Sequence, residues 1–153
     1  MKRATLTPRA GFSIVEIVVV IGLLLIVSGL LFSGFREYMA FQQHSQAMNE
    51  VKLLIQESQT AARLSVGGVA HGIKIEASQL TPFVGDTYNS SDPDNQVTTF
   101  NTVTLTPYLS GGTDEIIFTI LSGYPSATGT IDVSGTSYNY TDSLEVRAGG
   151  VVQ

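Results

Sequence analysis

The stretch RAGFSIVEIVVVIGLLLIVSGLLFSGF, residues 9–35, decides how the rest of the chain can fold. Its last nineteen residues, from Ile17 to Phe35, carry no charge. A helix of about 20 apolar residues is long enough to cross the ~30 Å hydrocarbon core of a membrane. Hydrophobicity alone leaves open an assembly helix, a plain signal anchor and a cleaved signal peptide. The last of these usually has a shorter apolar region, of about 7–15 residues.

Polar residues that still favour helix follow this stretch. Residues 36–66 contain no proline and no glycine. Their apolar residues recur at three-, four- or seven-residue steps: Phe41, Met48, Val51, Ile55 and Ala62. This one-sided pattern predicts one continuous helix from about Phe12 to about Val66, with a membrane half (12–35) and an amphipathic half (36–66). Gly67 and Gly68 are typical residues to end it.

From Val69 onward the pattern changes to short alternating runs rich in Ile, Val, Thr and Tyr, which is typical of antiparallel strands. The runs are HGIKIE (71–76), EIIFTILS (115–122), GTIDVSG (129–135) and SLEVRA (143–148). VTTFNTVTL (97–105) is predicted as a strand or a two-strand excursion, and the rest of Thr81 to Thr113 as loop. The predicted fold class is α+β: a long N-terminal helix packed on a small antiparallel β-sheet head, residues 67–153.

Charge is distributed unevenly along the chain. The first eleven residues carry Lys2, Arg3 and Arg9 without an acid, whereas residues 67–153 carry two cations against nine Asp and Glu. A basic start ahead of an apolar run is typical of a chain whose start stays in the cytoplasm while the rest crosses. The chain has no cysteine, which excludes disulfides, thiolate metal sites and a lipoprotein anchor.

Glu16 stands at the mouth of the apolar run, where a carboxylate is costly unless it has a partner. If the chain were cut between Gly11 and Phe12, the new α-amino group of Phe12 would lie four residues before Glu16. In a bundle of such helices, Glu16 of one copy would neutralise the amine of its neighbour and set the register. The simpler alternative is a carboxylate that is solvated at the membrane interface.

The string G-F-S-I-V-E, residues 11–16, ahead of the uncharged run resembles the class III signal of type IV prepilins and type II secretion pseudopilins. The resemblance implies that residues 1–11 are a leader, that a membrane-embedded prepilin peptidase cuts after Gly11 and methylates Phe12, and that Glu16 guides subunit docking. A proline in mid-stem and a C-terminal disulfide loop are missing, which disfavours a typical adhesive major pilin.

A second resemblance concerns the helix end and the head. QTAARL (59–64), Ile117-Phe118 with Gly123 after it, and the runs GTIDV (129–133), LEVR (144–147) and GVV (150–152) are similar to GspH-class minor pseudopilins and FimT minor pilins. Those proteins combine the stem helix with a β-rich head. The resemblance implies a minor subunit.

The sequence predicts no enzymatic activity, no cofactor and no metal. His44 and His71 have no Asp, Ser or ligand spacing around them in sequence, and both are predicted to lie on the surface. One loop gathers oxygen ligands of the kind calcium prefers, Asp86, Asp92, Asp94 and Asn95, but their spacing departs from the EF-hand and favours a solvated turn. The head tyrosines are predicted to pack on the sheet or to line its edge: Tyr108, Tyr124, Tyr138 and Tyr140.

Three functional hypotheses remain. The first is a structural minor pseudopilin of type II secretion or minor pilin of a type IV pilus. In this hypothesis the precursor crosses the inner membrane once, with its leader in the cytoplasm and its head outside. After cleavage it becomes part of a periplasmic or extracellular filament. Its partners are the prepilin peptidase, other pilins or pseudopilins and the inner membrane, with no nucleic acid. The second is a DNA-uptake pilin that binds DNA through its head, which the acidity of residues 67–153 disfavours. The third is a single-pass anchored binding protein unrelated to filaments.

Overall fold

The computed structural model describes residues 11–136 and 139–151, without the side chains of residues 31–33, 150 and 151. It confirms the α+β class: one long N-terminal helix, α1, packs on antiparallel sheets formed by the following residues. The chain divides into two compact units, residues up to Tyr38 and residues from Met39 onward. The sheets and their core belong to the second unit.

Helix α1 runs from Ile14 to Arg63, a length of 50 residues. The continuous helix was predicted correctly, although it begins two residues after Phe12 and ends three residues before Val66. Its end is set by the backbone: Ser65 adopts the left-handed conformation with φ of 53°, and Gly67 has φ of 69° in the short 3-10 turn Val66–Gly68. Left-handed backbone stops a helix, and glycine adopts it without a steric penalty.

Eight strands follow among the described residues, and every pairing between them is antiparallel. Their bounds are β1 His71–Glu76, β2 Gln79–Val84, β3 Thr98–Thr99, β4 Val103–Leu109, β5 Glu115–Phe118, β6 Gly129–Gly135, β7 Thr141–Arg147 and β8 Gly150–Val151. They form two sheets, one in the order β3-β2-β1-β5 and the other in the order β4-β6-β7-β8. The single sheet predicted from the sequence is therefore two sheets.

The loop predicted for the rest of Thr81 to Thr113 is wrong in part, because it contains residues 81–84 of β2 and residues 106–109 of β4. Strand β2 was missed because of Pro82, which lacks the N–H that an internal strand needs. The structure accommodates Pro82 at an edge, since β3 covers only Gln79 and Leu80 of β2. The stretch 97–105 does make two strands, but β3 and β4 belong to different sheets. Strand β5 ends at Phe118, before the predicted Ile120.

The core lies between the second half of α1 and the inner faces of both sheets. Val51, Ile55 and Ala62 of the predicted stripe are fully buried, and Met48 packs against the core from a partly buried position. Phe41 is half exposed, so the buried stripe begins later than predicted, at His44 and Ala47. The sheets contribute alternate residues, among them Ile73, Ile75, Leu80, Ile116 and Phe118 from the first and Leu105, Ile131, Val133, Leu144 and Val146 from the second.

The opposite face of the first sheet carries an ion cluster centred on Lys74 of β1. The ammonium group of Lys74 donates to Asp114 Oδ1 at 2.7 Å and to Glu115 Oε1 at 3.1 Å, and it lies 5.6 Å from the ring centroid of Tyr88. The hydrogen bond from Lys74 holds the pKa of Asp114 below its ordinary value. The same bond raises the pKa of Lys74.

We expect Asp114→Asn to lower the free energy of unfolding by no more than about 1 kcal/mol at pH 7, because more than half of the Asp114 side chain is exposed and solvent screens the pair. Since the folded pKa of Asp114 is lowered, this stabilisation is present above the unfolded pKa near 4 and is lost as pH falls through the folded pKa. Urea unfolding in detergent micelles at pH 7 and near pH 2 measures it. Asp86→Asn, which changes an exposed loop aspartate, is the control. If Asp114→Asn still has a lower free energy of unfolding than wild type near pH 2, the ion pair is not the cause of the difference.

Candidate functional site

The predicted cleavage site lies in the short segment ahead of α1. Gly11, Phe12 and Ser13 belong to no helix or strand, and Phe12 is 80% exposed. Among the described residues, apart from its chain neighbours, no heavy atom lies within 4 Å of the position that a Cβ on Gly11 would take. Exposed irregular backbone is where proteases cut most readily. The bond between Gly11 and Phe12 therefore lies in exposed backbone outside α1. Residues 1–10 of the predicted leader lie outside the described residues.

Glu16 lies in the first turn of α1 and is exposed. The helix begins with a hydrogen bond from the Ile17 amide to the Ser13 carbonyl, 3.2 Å long. The free N–H groups of a first turn carry partial positive charge, which favours a carboxylate there by about 0.3–1 kcal/mol. Among the described residues Glu16 has no ion-pair partner. The position gives Glu16 a local stabilising role in addition to the predicted one between subunits.

The apolar residues 14–30 are exposed all round α1. Among the described residues α1 is the one helix that is long and apolar enough to cross a membrane, although a signal sequence near the N-terminus would pass the same test. The predicted apolar helix of membrane-spanning length is thereby confirmed. Exposed apolar surface costs about 25 cal/mol per Å² in water. Exposure of this apolar surface is what a membrane span or a signal sequence shows.

One part of the second resemblance, residues 59–64 and Gly123, comes together at the C-terminal end of α1. The loop that follows β5, Thr119–Tyr124, packs there: the Gln59 side-chain amide donates to the Gly123 carbonyl at 3.0 Å, and the Leu121 amide donates to the Ala62 carbonyl at 2.9 Å. Gly123 has φ of 65°, and a Cβ on it would lie 2.5 Å from Cγ of Arg63. The contact satisfies a helix-terminal carbonyl and depends on glycine.

The prediction that His44 lies on the surface is wrong. His44 is only 3% exposed, and its Nε2 lies 3.0 Å from Oδ2 of Asp142 on β7, while its Nδ1 has no hydrogen-bond partner among the described residues. The ring of Tyr140 lies beside His44, with its centroid 6.0 Å from that of the imidazole. Asp142 lies 98 residues away in sequence, so no local spacing could reveal the pair. His71 is partly exposed and bonds the Val66 carbonyl through Nε2 at 3.0 Å.

The loop with several aspartates is held by turns of its own. The amide of Asp94 donates to Asp92 Oδ1 at 3.0 Å, and the side-chain amide of Asn95 donates to the Asn89 carbonyl at 2.7 Å. Such side-chain-to-backbone bonds are typical of Asx turns. Within residues 11–136 and 139–151 no group of three or more His, Asp and Glu is close enough to hold a metal ion.

The head tyrosines take different positions. Tyr140 packs between His44 and Phe41, whose ring centroid lies 5.8 Å away. Tyr108 lies on the edge strand β4 and Tyr124 in the loop after β5, and both are exposed. Tyr138 lies outside the described residues. The prediction of packing or edge positions is therefore confirmed for Tyr140 and Tyr108, whereas Tyr124 lies exposed in a loop.

Comparison with protein-family models, with curated proteins and with solved structures finds no match to this chain. The chain's own residues and their geometry therefore carry the functional conclusion.

Proposed function

We propose that this chain is a prepilin-like precursor that is cut after Gly11 and joins a filament through α1, as a minor pseudopilin or minor pilin. One observation carries the proposal. An accessible Gly11–Phe12 bond stands directly ahead of a helix with a carboxylate in its first turn and with apolar side chains exposed on all sides. A plain anchor needs the apolar side chains but neither the glycine nor the carboxylate.

Cleavage would turn the Phe12 nitrogen into a charged amine four residues before Glu16. Two charges of opposite sign then stand near the start of every stem. In a low-dielectric bundle an unpaired carboxylate costs several kcal/mol, so neighbouring stems are driven to the axial offset at which Glu16 meets an amine. The pairing would define one register among the many that apolar contacts alone allow.

Two glycines support close packing of such stems. Gly22 and Gly29 are seven residues apart, about two turns, and so lie on one face of α1. Apart from the neighbouring backbone of α1 itself, neither has a described heavy atom within 4 Å of the position that a Cβ would take. Small residues on one face let helix backbones approach closely in a membrane or a bundle.

Mass spectrometry of the mature chain tests the proposal. We expect a chain that begins at Phe12 and carries one extra methyl group on its amine. Gly11→Val should block the cut and leave the chain full length, while the fold is unchanged because no described residue beyond its chain neighbours lies within 4 Å of a Cβ on Gly11. Gly22→Val, a glycine of equal surroundings inside the helix, should still be cut. An intact Met1, or a start near Gly34 as a signal peptidase would leave it, overturns the proposal.

A further inference from the structure

A groove opens on the head between α1 and the edge of β2. It encloses about 230 Å³, and the residues that matter for its chemistry are Leu54, Glu57, Ser58, Pro82, Val84 and Asp94. Small-molecule sites usually measure about 300–1,000 Å³, so the groove is the size of one long side chain. All of its lining belongs to the second compact unit.

The lining of the groove combines an apolar floor with two carboxylates. Leu54, Pro82 and Val84 supply the floor, and Glu57 and Asp94, both exposed, stand at the rim. No Lys or Arg is among the described residues that line it. An aliphatic stem that ends in a cation matches this arrangement, because Arg and Lys bury their methylene groups while the charged head meets acids.

Ser58 adds a polar group to the groove. It is 6% exposed and belongs to the lining of the groove. Its hydroxyl can accept an N–H from a guanidinium or ammonium group that enters the groove.

The edge of β2 offers backbone groups beside the groove. The Gly85 amide donates to the Ala70 carbonyl at 2.8 Å, so the alternation of an antiparallel ladder turns the amide of Val84 away from β1. The same alternation turns the Pro82 carbonyl outward. Strand β3 pairs only with Gln79 and Leu80, so among the described residues these groups stay open to an added extended segment.

The charge of the head indicates which kind of protein can supply the segment that enters the groove. Residues 39–153 hold four Lys and Arg against eleven Asp and Glu. Three of the four cations already have acceptors in the head: Lys74 on Asp114, Arg147 on Glu145 and Arg63 on the Gly149 carbonyl. A second copy of the head is therefore a poor source of the cation, and a different, basic protein is a good one.

We propose that the groove is a docking site for an extended segment of a basic partner protein, which inserts one Arg or Lys side chain between Glu57 and Asp94. The proposal does not depend on cleavage after Gly11. Its failure and the failure of the filament proposal are therefore separate outcomes.

Fluorescence anisotropy of a labelled peptide, GTVRVTG, with the full chain in detergent micelles tests the docking site. We expect saturable binding at low ionic strength that weakens as salt is added. Replacing the arginine by citrulline, which keeps the shape and removes the charge, should weaken binding about five-fold or more, and Glu57→Gln should weaken it about two- to five-fold. Glu57→Gln with Asp94→Asn should act more strongly than either change alone.

Glu76→Gln is the matched control, because it removes one exposed carboxylate from the far end of β1. We expect it to leave peptide affinity unchanged. Thermal unfolding shows that the variants keep the fold, since all of the substituted carboxylates are exposed. Equal affinity for the arginine and citrulline peptides overturns the proposal. So does an effect of Glu76→Gln as large as that of Glu57→Gln, or binding of free arginine amide as tight as that of the peptide.

Discussion

We expect Gly129→Ala to lower the free energy of unfolding by about 3–5 kcal/mol, a large part of the total stability of a small domain. Gly129 opens β6 with φ of 150°, where side chains are strained. A Cβ there would lie 2.1 Å from the carbonyl oxygen of Tyr108 on β4. Because that oxygen belongs to the backbone of a paired strand, relief requires the two strands to move apart.

Gly111→Ala distinguishes the cost of backbone strain at positive φ from the cost of the steric clash with β4. Gly111 also has positive φ, 82°, but nothing lies within 4 Å of its missing Cβ. Backbone strain alone should cost about 1–2 kcal/mol there. Urea unfolding in micelles, followed by near-ultraviolet circular dichroism of the tyrosines because the chain has no tryptophan, compares the two. Equal losses would mean that the close approach of β4 and β6 is not what makes glycine necessary.

The second large effect concerns assembly rather than folding. We expect Glu16→Ala to be cut normally after Gly11 and yet to be missing from the filament. Its exposed carboxylate contributes little to the fold of one chain, so the fold should remain. Loss of one partner of a buried ion pair costs about 3–5 kcal/mol, which corresponds to a drop of roughly a hundredfold or more in association.

Fractionation of sheared filaments from membranes measures this effect by immunoblot, with mass spectrometry to check the N-terminus. Glu50→Ala removes an exposed carboxylate from the same helix outside the apolar segment and should assemble as wild type does. Incorporation of Glu16→Ala at the wild-type level would rule out the pairing role of this residue. If neither Glu16→Ala nor Glu50→Ala enters the filament, assembly depends on the total charge of α1 and not on Glu16 in particular.

The helix and four of the strands were predictable because their patterns are local. The stripe through Val51 and Ile55 repeats at helical spacing, and the runs at residues 71–76 and 129–135 alternate as strands do. Strand β2 was hidden by Pro82, which reads as a loop residue unless the strand is known to form an edge. The division into two sheets was hidden for a different reason: β5 lies between β4 and β6 in sequence but pairs with β1.

The residues of the candidate site also separate into those that a local sequence pattern could predict and those that it could not. Gly11, Phe12 and Glu16 form a contiguous motif, so the sequence alone identifies them and their spacing. The pair of His44 and Asp142 joins residues 98 positions apart, and a histidine on a helix is more often exposed than buried. The groove was also missed, because Glu57 and Asp94 are far apart in sequence. They line the same groove only in the folded chain, where α1 packs beside β2.

The interleaving of the strands has a consequence for the order in which the head can fold. The first sheet is complete once Phe118 is available, but β4, which precedes β5, must wait for β6 before its own ladder can form. Until then, Leu105 and Leu109 lack their partners on the second sheet. A nascent chain that stops between residues 118 and 129 therefore exposes an unpaired, half-apolar strand, which is the kind of intermediate that aggregates or recruits a chaperone.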